Sequence, residues 1–282
     1  MKELEWVDFL KRTVKNRKDV LVGIGDDCAL VKIGQEKALL KSDLFIEGVH
    51  FRLPDMSFRT IGMRAIARVL SDIAACGGTP KFIGISLGLP GYIAEKSLRE
   101  IVAGVNQSAK RYMFSFVGGD TSRAPRLFLD VWALATVHKC ILRSQAKVGD
   151  YIFITGTLGA RNFSDTFEPR LKDSRYLAGN FKVHAMIDIS DGFLVDLYRI
   201  LKESGKGALL YKEHIPVTHG DADYYRGEDY ELLFTVDEKE PRLRMLKKRF
   251  YCVGRIMEKR YGYKMRVGSK VRVVEPKGYM HF

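Results

Sequence analysis

Apolar residues recur along this chain at two spacings. Met63, Ile66, Ala67, Leu70, Ile73 and Ala74 stand three or four positions apart, which lays a stripe along one face of a helix. The pattern ends that helix near Gly77-Gly78, ahead of Pro80. Ile83, Ile85, Leu87 and Leu89 then alternate, as in a strand with one buried face. Leu98, Ile101, Val102, Val105 and Ala109 predict a second helix, followed by strand-like runs at 113–117 ("MFSFV") and 126–137 ("RLFLDVWALATV").

The segment 138–150 reads as a crossover into a second unit that opens with "YIFIT". Phe193, Leu197, Ile200 and Leu201 share one helical face, and Gly205 supplies the helix end. Strands are predicted at 230–236, at 250–256 and in the last basic run. The reading is two α/β units, residues 1–138 and 139–282. No low-complexity linker separates them, so they are expected to pack closely.

Composition narrows the field. At 282 residues, 46% apolar and 29% charged, the chain has the balance of a globular protein with a sizeable core. Its longest apolar stretch, "FIGISLGLPGYIA", is broken by Gly and Pro well short of the roughly 18–20 residues of a membrane span. The start, "MKELEWVDFLKRTVKNRKD", has no apolar core of a secretory signal, and the expected location is cytoplasmic. Cys28, Cys76, Cys140 and Cys252 are far apart, with no Cys-x-x-Cys spacing. They are expected to be reduced, partly buried small residues rather than a zinc site or disulfide framework.

The net charge of +13 is uneven, because residues 241–282 hold 13 Lys and Arg against two acids, Glu258 and Glu275. Nucleic acid is one partner that such charge suggests. The basic residues are spaced along strands without aromatic interleaving, however, so a solvated basic face is the preferred reading.

Glycine or serine followed by acid recurs: "GIGDD" with Asp26 and Asp27, "KSD" with Asp43, "LSD" with Asp72, "GGD" with Asp120, "IDISDG" with Asp188 and Asp191, and "GED" with Glu228. Each adjoins an apolar element, at the ends where sites are assembled. Singly they have plain structural readings: Asp191 capping the helix after Gly192, Asp120 in an Asx-turn, Asp26 at a loop tip. As a set in a basic protein they suggest one shared task. Two carboxylates about 4 Å apart repel by roughly 4 kcal/mol at an effective dielectric of about 20, so a converging cluster needs cations. Oxygen-only ligands favour magnesium over zinc, and magnesium commonly shares its coordination with nucleotide phosphates. No Walker phosphate loop or protein-kinase motif set is present. Arg143, Arg123 and Lys41 are candidate cations for phosphates.

The blocks "GIGDDCALV", "KSDLFIEGVHF", "LSDIAACGGTPKF", "VGGDTSRAP", "LRSQAKVGDYIFITGTLG", "IDISDGFLVDL", "GEDYELLFTV" and "EPKGYMHF" stand in the order seen in thiamine-monophosphate kinases, which this chain resembles from about residue 23 to its end. That family belongs to a wider superfamily with aminoimidazole ribonucleotide synthetase, selenophosphate synthetase and a hydrogenase maturation protein. An aminoimidazole ribonucleotide synthetase-like activity is the alternative enzyme reading. The resemblance implies transfer of the γ-phosphoryl group of ATP to thiamine monophosphate, with several magnesium ions and no covalent intermediate.

By matching blocks, it implies magnesium ligands at Asp27, Ser42, Asp43, Asp72, Asp120, Asp188 and Asp191. It puts ATP contacts at Gly119, Asp120, Arg143 and Ser190, and thiamine-phosphate contacts at His50, Glu228 and Tyr279. Asp27, Asp43, Asp72, Asp120 and Asp188 would carry the catalysis. The implied fold is α/β (α+β) with an N-terminal sheet that pairs in a homodimer and a C-terminal sheet covered by helices. Three departures stand out: Lys41 in place of a small hydroxyl residue, Arg226 in place of a glycine, and a short segment at 160–184.

Overall fold

A computed structural model describes residues 3–280; His281 and Phe282, which close the last motif block, lie outside it. Seven strands up to Thr136 form one sheet. They are β1 (Val20–Val22), β2 (Ala29–Ile33), β3 (Glu36–Ile46), β4 (Thr79–Leu89), β5 (Ser115–Phe116), β6 (Thr121–Arg123) and β7 (Phe128–Thr136). Their order is β1-β2-β3-β7-β4-β5, with β6 also on β4. Seven more form the second sheet: β8 (Tyr151–Ile154), β9 (Val183–Asp188), β10 (Lys206–Tyr211), β11 (Leu232–Val236), β12 (Tyr251–Glu258), β13 (Tyr263–Val267) and β14 (Lys270–Val273). Their order is β14-β13-β10-β12-β8-β11-β9. Among the described residues six α-helices accompany the sheets: α1 (Glu3–Thr13), α2 (Phe58–Ala75), α3 (Glu95–Tyr112), α4 (Leu171–Asn180), α5 (Phe193–Ser204) and α6 (Leu243–Arg249). No helix among the described residues is long and apolar enough to cross a membrane.

The predicted helix at 63–74 is the axle of this arrangement. Ser57 caps α2 by accepting from the Thr60 N–H at 3.1 Å. It packs against β3, β4 and β7 of the first sheet, β9 of the second, and helices α3 and α4. One apolar stripe therefore understates its burial, since Arg64 and Ser71 are also enclosed. Its polar positions Arg64, Arg68 and Asp72 recur every four residues, a second stripe of which Arg68 and Asp72 line the space between the sheets and Arg64 is buried, paired with Glu228.

Strand β3 carries function by alternation. Leu39, Lys41, Asp43 and Phe45 point inward toward α2, whereas Leu40, Ser42 and Leu44 point outward. The outward face of the sheet also shows Phe82 and Trp132, with the Trp132 ring lying over Gly84.

Two boundaries differ from the apolar pattern. Met113, expected in a strand, is the left-handed end of α3 at φ 59°, which leaves only Ser115–Phe116 to pair. Tyr230 and Glu231 fall outside β11, because Glu228 and Tyr230 both have positive φ, 67° and 50°, incompatible with extended backbone. At the other end, the basic strand β14 is exposed along its length at the sheet edge, where Lys and Arg discourage pairing with a foreign strand.

Helices α2 and α3 touch at two glycines. A Cβ on Gly104 would meet the Arg59 carbonyl oxygen at 2.1 Å, and one on Gly62 would meet the Ile101 carbonyl oxygen at 2.3 Å. Backbone cannot yield as a flexible side chain does. Gly104→Ala should therefore destabilise the protein by about 1–3 kcal/mol despite the better helix propensity of alanine. Urea unfolding measures it, and an unchanged or higher midpoint would contradict the close approach.

Candidate functional site

Four segments converge on one cleft of about 550 Å³ between the sheets. The loop 23–28 brings Asp26 and Asp27, β3 brings Lys41 and Asp43, α2 brings Arg68 and Asp72, and the end of β9 brings Asp188 with the loop to Asp191. Single carboxylate oxygens of Asp27, Asp72 and Asp188 lie within 4.8 Å of one another. That spacing suits ligands of one cation, and one oxygen of Asp27 is buried with no hydrogen-bond partner.

The two adjacent aspartates have separate tasks. Asp26 accepts from the Asp27 N–H at 3.0 Å and from the Arg143 N–H at 3.2 Å, which ties the loop together. Gly25 allows the turn at φ 110°, and the Lys11 side chain lies where its Cβ would be. Asp27 points into the cluster and pairs with the Arg143 guanidinium.

Burial dominates the electrostatics here. It pushes the carboxyl of Asp188 up to about 7, helped by the charge of Asp27, although Ser71 donates to Asp188 at 2.6 Å. Burial and the neighbouring Asp27 push Asp26 to about 7 as well. Asp72 is raised by burial against the pull of Lys41, whose ammonium lies 3.1 Å away, and by the charges of Asp188, Asp43 and Asp27. Burial opposes the charge on Lys41, yet Asp72 and Asp43 outweigh it and hold its pKa above the ordinary value. The two members of the Lys41–Asp72 pair thus shift in the same direction, the lysine held up by its acids and Asp72 by burial and the other carboxylates. Asp43 goes the other way: burial would raise it, but Arg68 at 3.1 Å and Lys41 hold it below the usual range.

A second layer positions these groups. Arg68 also reaches Glu228 at 3.0 Å and the Tyr230 hydroxyl at 2.6 Å, while the buried Arg64 pairs with Glu228 at 2.5 Å. The left-handed Glu228 and Tyr230 are fixed because their N–H groups donate to Ser190 and Ile189 carbonyls at 2.7 and 2.8 Å. Asp191 does not cap α5. Asp196 does that work, one oxygen accepting from the N–H groups of Ser190, Asp191 and Gly192 at 3.0, 3.0 and 3.2 Å. Asp191 instead pairs with Arg199 at 2.6 Å.

Of the other expected residues, Ser190, His50 and Tyr279 line the cleft. The Nδ1 of His50 accepts from the Ile46 N–H at 3.0 Å, and the Tyr279 N–H donates to the Asp191 carbonyl at 2.8 Å. Ser42 stands apart: by strand alternation its hydroxyl faces the opposite side of the sheet and donates to Asp130 at 2.6 Å. Gly119 and Asp120 sit exposed beyond β4 and do not line the cleft, and Asp120 accepts from the Thr121 N–H at 2.7 Å. Arg123 lies on the exposed strand β6.

Residues that motif spacing did not single out are Arg68, Arg64, Tyr230, Arg199, Asp196 and the wall from α1. That helix is tied to α5 by Lys11–Glu203 and Lys202–Asp8 pairs, each 2.7 Å. The four-residue recurrence of 64, 68 and 72 was the available sign for the two arginines. The cysteines are free and buried or half-buried, as expected, and the Cys76 sulfur lies within 4.8 Å of carboxylate oxygens of Asp26 and Asp27.

Asp26 and Asp188 ionise near 3.8 in the unfolded chain and near 7 in the metal-free fold. Folding therefore takes up protons in that window, and this part of the stability is lost as pH rises through it. A divalent cation that binds the ionised cluster should raise the melting temperature more at about pH 7.5 than at about pH 5. Equal stabilisation at both would count against the cluster as a cation site.

Residues 25–137 match the family described as AIR synthase related protein, N-terminal domain. The thiamine-monophosphate kinase of Bacillus subtilis (strain 168) is 32% identical over 329 residues, covering 100% of each chain. That of Buchnera aphidicola subsp. Acyrthosiphon pisum (strain APS) is 31% identical over 316 residues, covering 97% of this chain and 96% of its own. The solved structure described as AaThiL complexed with AMPPCP and TMP superposes with a TM-score of 0.86 at 28% identity, over 100% of this chain and 97% of the other. Identity above 30% along the full length of such relatives, on the same fold, makes this chain a member of the thiamine-monophosphate kinase family.

Proposed function

We propose that this protein transfers the γ-phosphoryl group of ATP to the phosphate of thiamine monophosphate, giving thiamine diphosphate and ADP. The observation that carries the reading is the convergence of Asp27, Asp72 and Asp188 in a cleft also lined by Arg143, Ser190, His50, Glu228 and Tyr279. An oxygen of the acceptor phosphate attacks the γ-phosphorus, and the bond to the β–γ bridging oxygen breaks as ADP leaves. The acceptor is already an anion, so no side chain needs to remove a proton from it. Arg143 and Lys41 neutralise phosphate charge, and the Asp196-bound loop orients Ser190 toward the nucleotide. Glu228, His50 and Tyr279 receive the thiamine moiety, which is cationic and aromatic.

Magnesium fits the cluster because the donors are hard carboxylate oxygens, one of them buried and unpartnered. Asp27, Asp72 and Asp188 would hold one ion, with Asp43 and Asp191 in reach of others. Bound magnesium supplies charge neutralisation at the transferring phosphoryl group.

We further propose a homodimer built on the first sheet. Its outward face exposes Leu40, Leu44, Phe82 and Trp132, an apolar surface that a second copy would cover. Gly119 and Asp120, outside the cleft of their own chain, are assigned to the nucleotide and metal site completed by that second copy. Residues 1–138 and 139–282 are proposed as the two domains; every strand through Thr136 belongs to one sheet and every strand from Tyr151 to the other, which supports the division. Because ATP is the donor, the proposed reaction belongs in the cytoplasm.

Incubation with ATP, magnesium and thiamine monophosphate should yield thiamine diphosphate and ADP in equal amounts, read by chromatography. Failure to form either with folded protein would sink the proposal. Asp72→Asn should lower kcat by about 10²–10³-fold while leaving the fold intact by circular dichroism.

A further inference from the structure

Two departures from the motif blocks, Arg226 and the short segment at 160–184, meet at one point. The Arg226 guanidinium lies over the Phe163 ring, 4.1 Å from its centre, and donates to the Arg161 carbonyl at 3.2 Å. Phe163 stands on a tight turn, in which the Asp165 N–H donates to the Asn162 carbonyl at 3.2 Å and the Ser164 N–H to the Asn162 side chain at 3.1 Å. The turn is anchored on both sides. Before it, Arg161 donates to the Asp229 carbonyl and pairs with Glu231 at 2.9 Å. After it, the buried Arg64 donates to the Asp165 carbonyl, and Phe167 stacks on Tyr230 with ring centres 3.9 Å apart.

So fixed, Phe163 does not join the core. It is 44% exposed and lines the cleft together with Val49, His50 and Tyr279. With Val49 and His50 it also lines a smaller hollow of about 230 Å³, so it stands as a partition between the two spaces. Arg226 lines neither space, which puts its guanidinium behind the ring. A rigidly held aromatic ring left in water is a cost that the fold itself does not recover, and a flat apolar ligand face laid against it would.

We propose that Phe163, braced by Arg226, is a specificity-determining wall of the cleft and seats the aminopyrimidine ring of the acceptor. The identity of that acceptor rests on the proposed reaction; the wall and its brace are read independently. Thiamine monophosphate carries two aromatic rings, a positively charged thiazolium and an uncharged aminopyrimidine. A guanidinium on one face of a phenyl ring already draws on its π electrons, so a second cation is held less well on the other face, and the uncharged ring stacks without that penalty. Because its turn is tied at both ends, Phe163 needs little further ordering when a ligand arrives. The contact lies away from the transferring phosphoryl group, so it holds the bound substrate and the transition state alike.

In the full-length protein, Phe163→Ala should raise KM for thiamine monophosphate about tenfold, with kcat and KM for ATP within about twofold of the parent. Arg226→Ala should raise the same KM about threefold, since the turn keeps its other anchors. Phe163→Trp gives a readout that needs no turnover. Thiamine monophosphate should change its fluorescence beyond the response of the parent, whose Trp6 and Trp132 are the background. The phosphorylated thiazole half, which lacks the pyrimidine ring, should not. An unchanged KM in Phe163→Ala, an equal rise in its KM for ATP, or equal fluorescence responses to the two ligands overturns the wall and leaves the reaction standing. A fluorescence response without turnover in the parent would keep the wall and remove the reaction. Absence of both overturns the two together.

Discussion

The structure is organised around mutual repulsion of carboxylates that the fold has removed from water. Asp27, Asp72 and Asp188 come from a loop, a helix and a strand end, and nothing in their local elements asks them to meet. Their approach is tolerated because Lys41, Arg143 and Arg68 stand beside them or their neighbours, and because protonation takes up what those cations leave. The arginine pairs with Glu228, the loop held by Asp196 and the fixed Tyr230 backbone are the scaffolding of that compromise.

Helix α2 shows how one element serves both stability and chemistry. Its apolar residues fill the core shared with both sheets, and glycine lets α3 lie against its outer face. Its polar stripe then lies on the cleft side, Arg68 and Asp72 lining the cleft and Arg64 buried against Glu228. Arg64, Arg68 and Asp72 are thus presented at a fixed spacing by a helix whose position is set by packing on every other side.

Much of this was legible in the sequence. The apolar periodicity of α2, α3 and α5, the alternation of β4 and the strand-like run of β7 are local properties, and the chain obeys them. The glycine-acid motifs marked most of the loops that meet, and ten of the implied positions line the cleft or its buried cluster: Asp27, Asp43, His50, Asp72, Arg143, Asp188, Ser190, Asp191, Glu228 and Tyr279. What local patterns could not show was long-range. Asp196 was one more helix residue until its carboxylate was seen gathering three backbone N–H groups. Cys76 looked unconnected to the acids because only the tertiary fold brings the end of α2 beside the loop of Asp26 and Asp27. Ser42 shows the limit of adjacency: its motif neighbour Asp43 faces the cleft, and strand geometry sends Ser42 to the opposite face.

Lys41 carries a consequence of its own. The ammonium group beside Asp72 is a resident positive charge, covalently part of the chain, that no chelator can strip and no shortage of minerals can dilute. A hydroxyl at that position would leave Asp72 without a cation of the chain's own beside it. With the lysine in place, part of the pocket's negative charge is balanced the moment the chain folds, before any visitor enters the cleft.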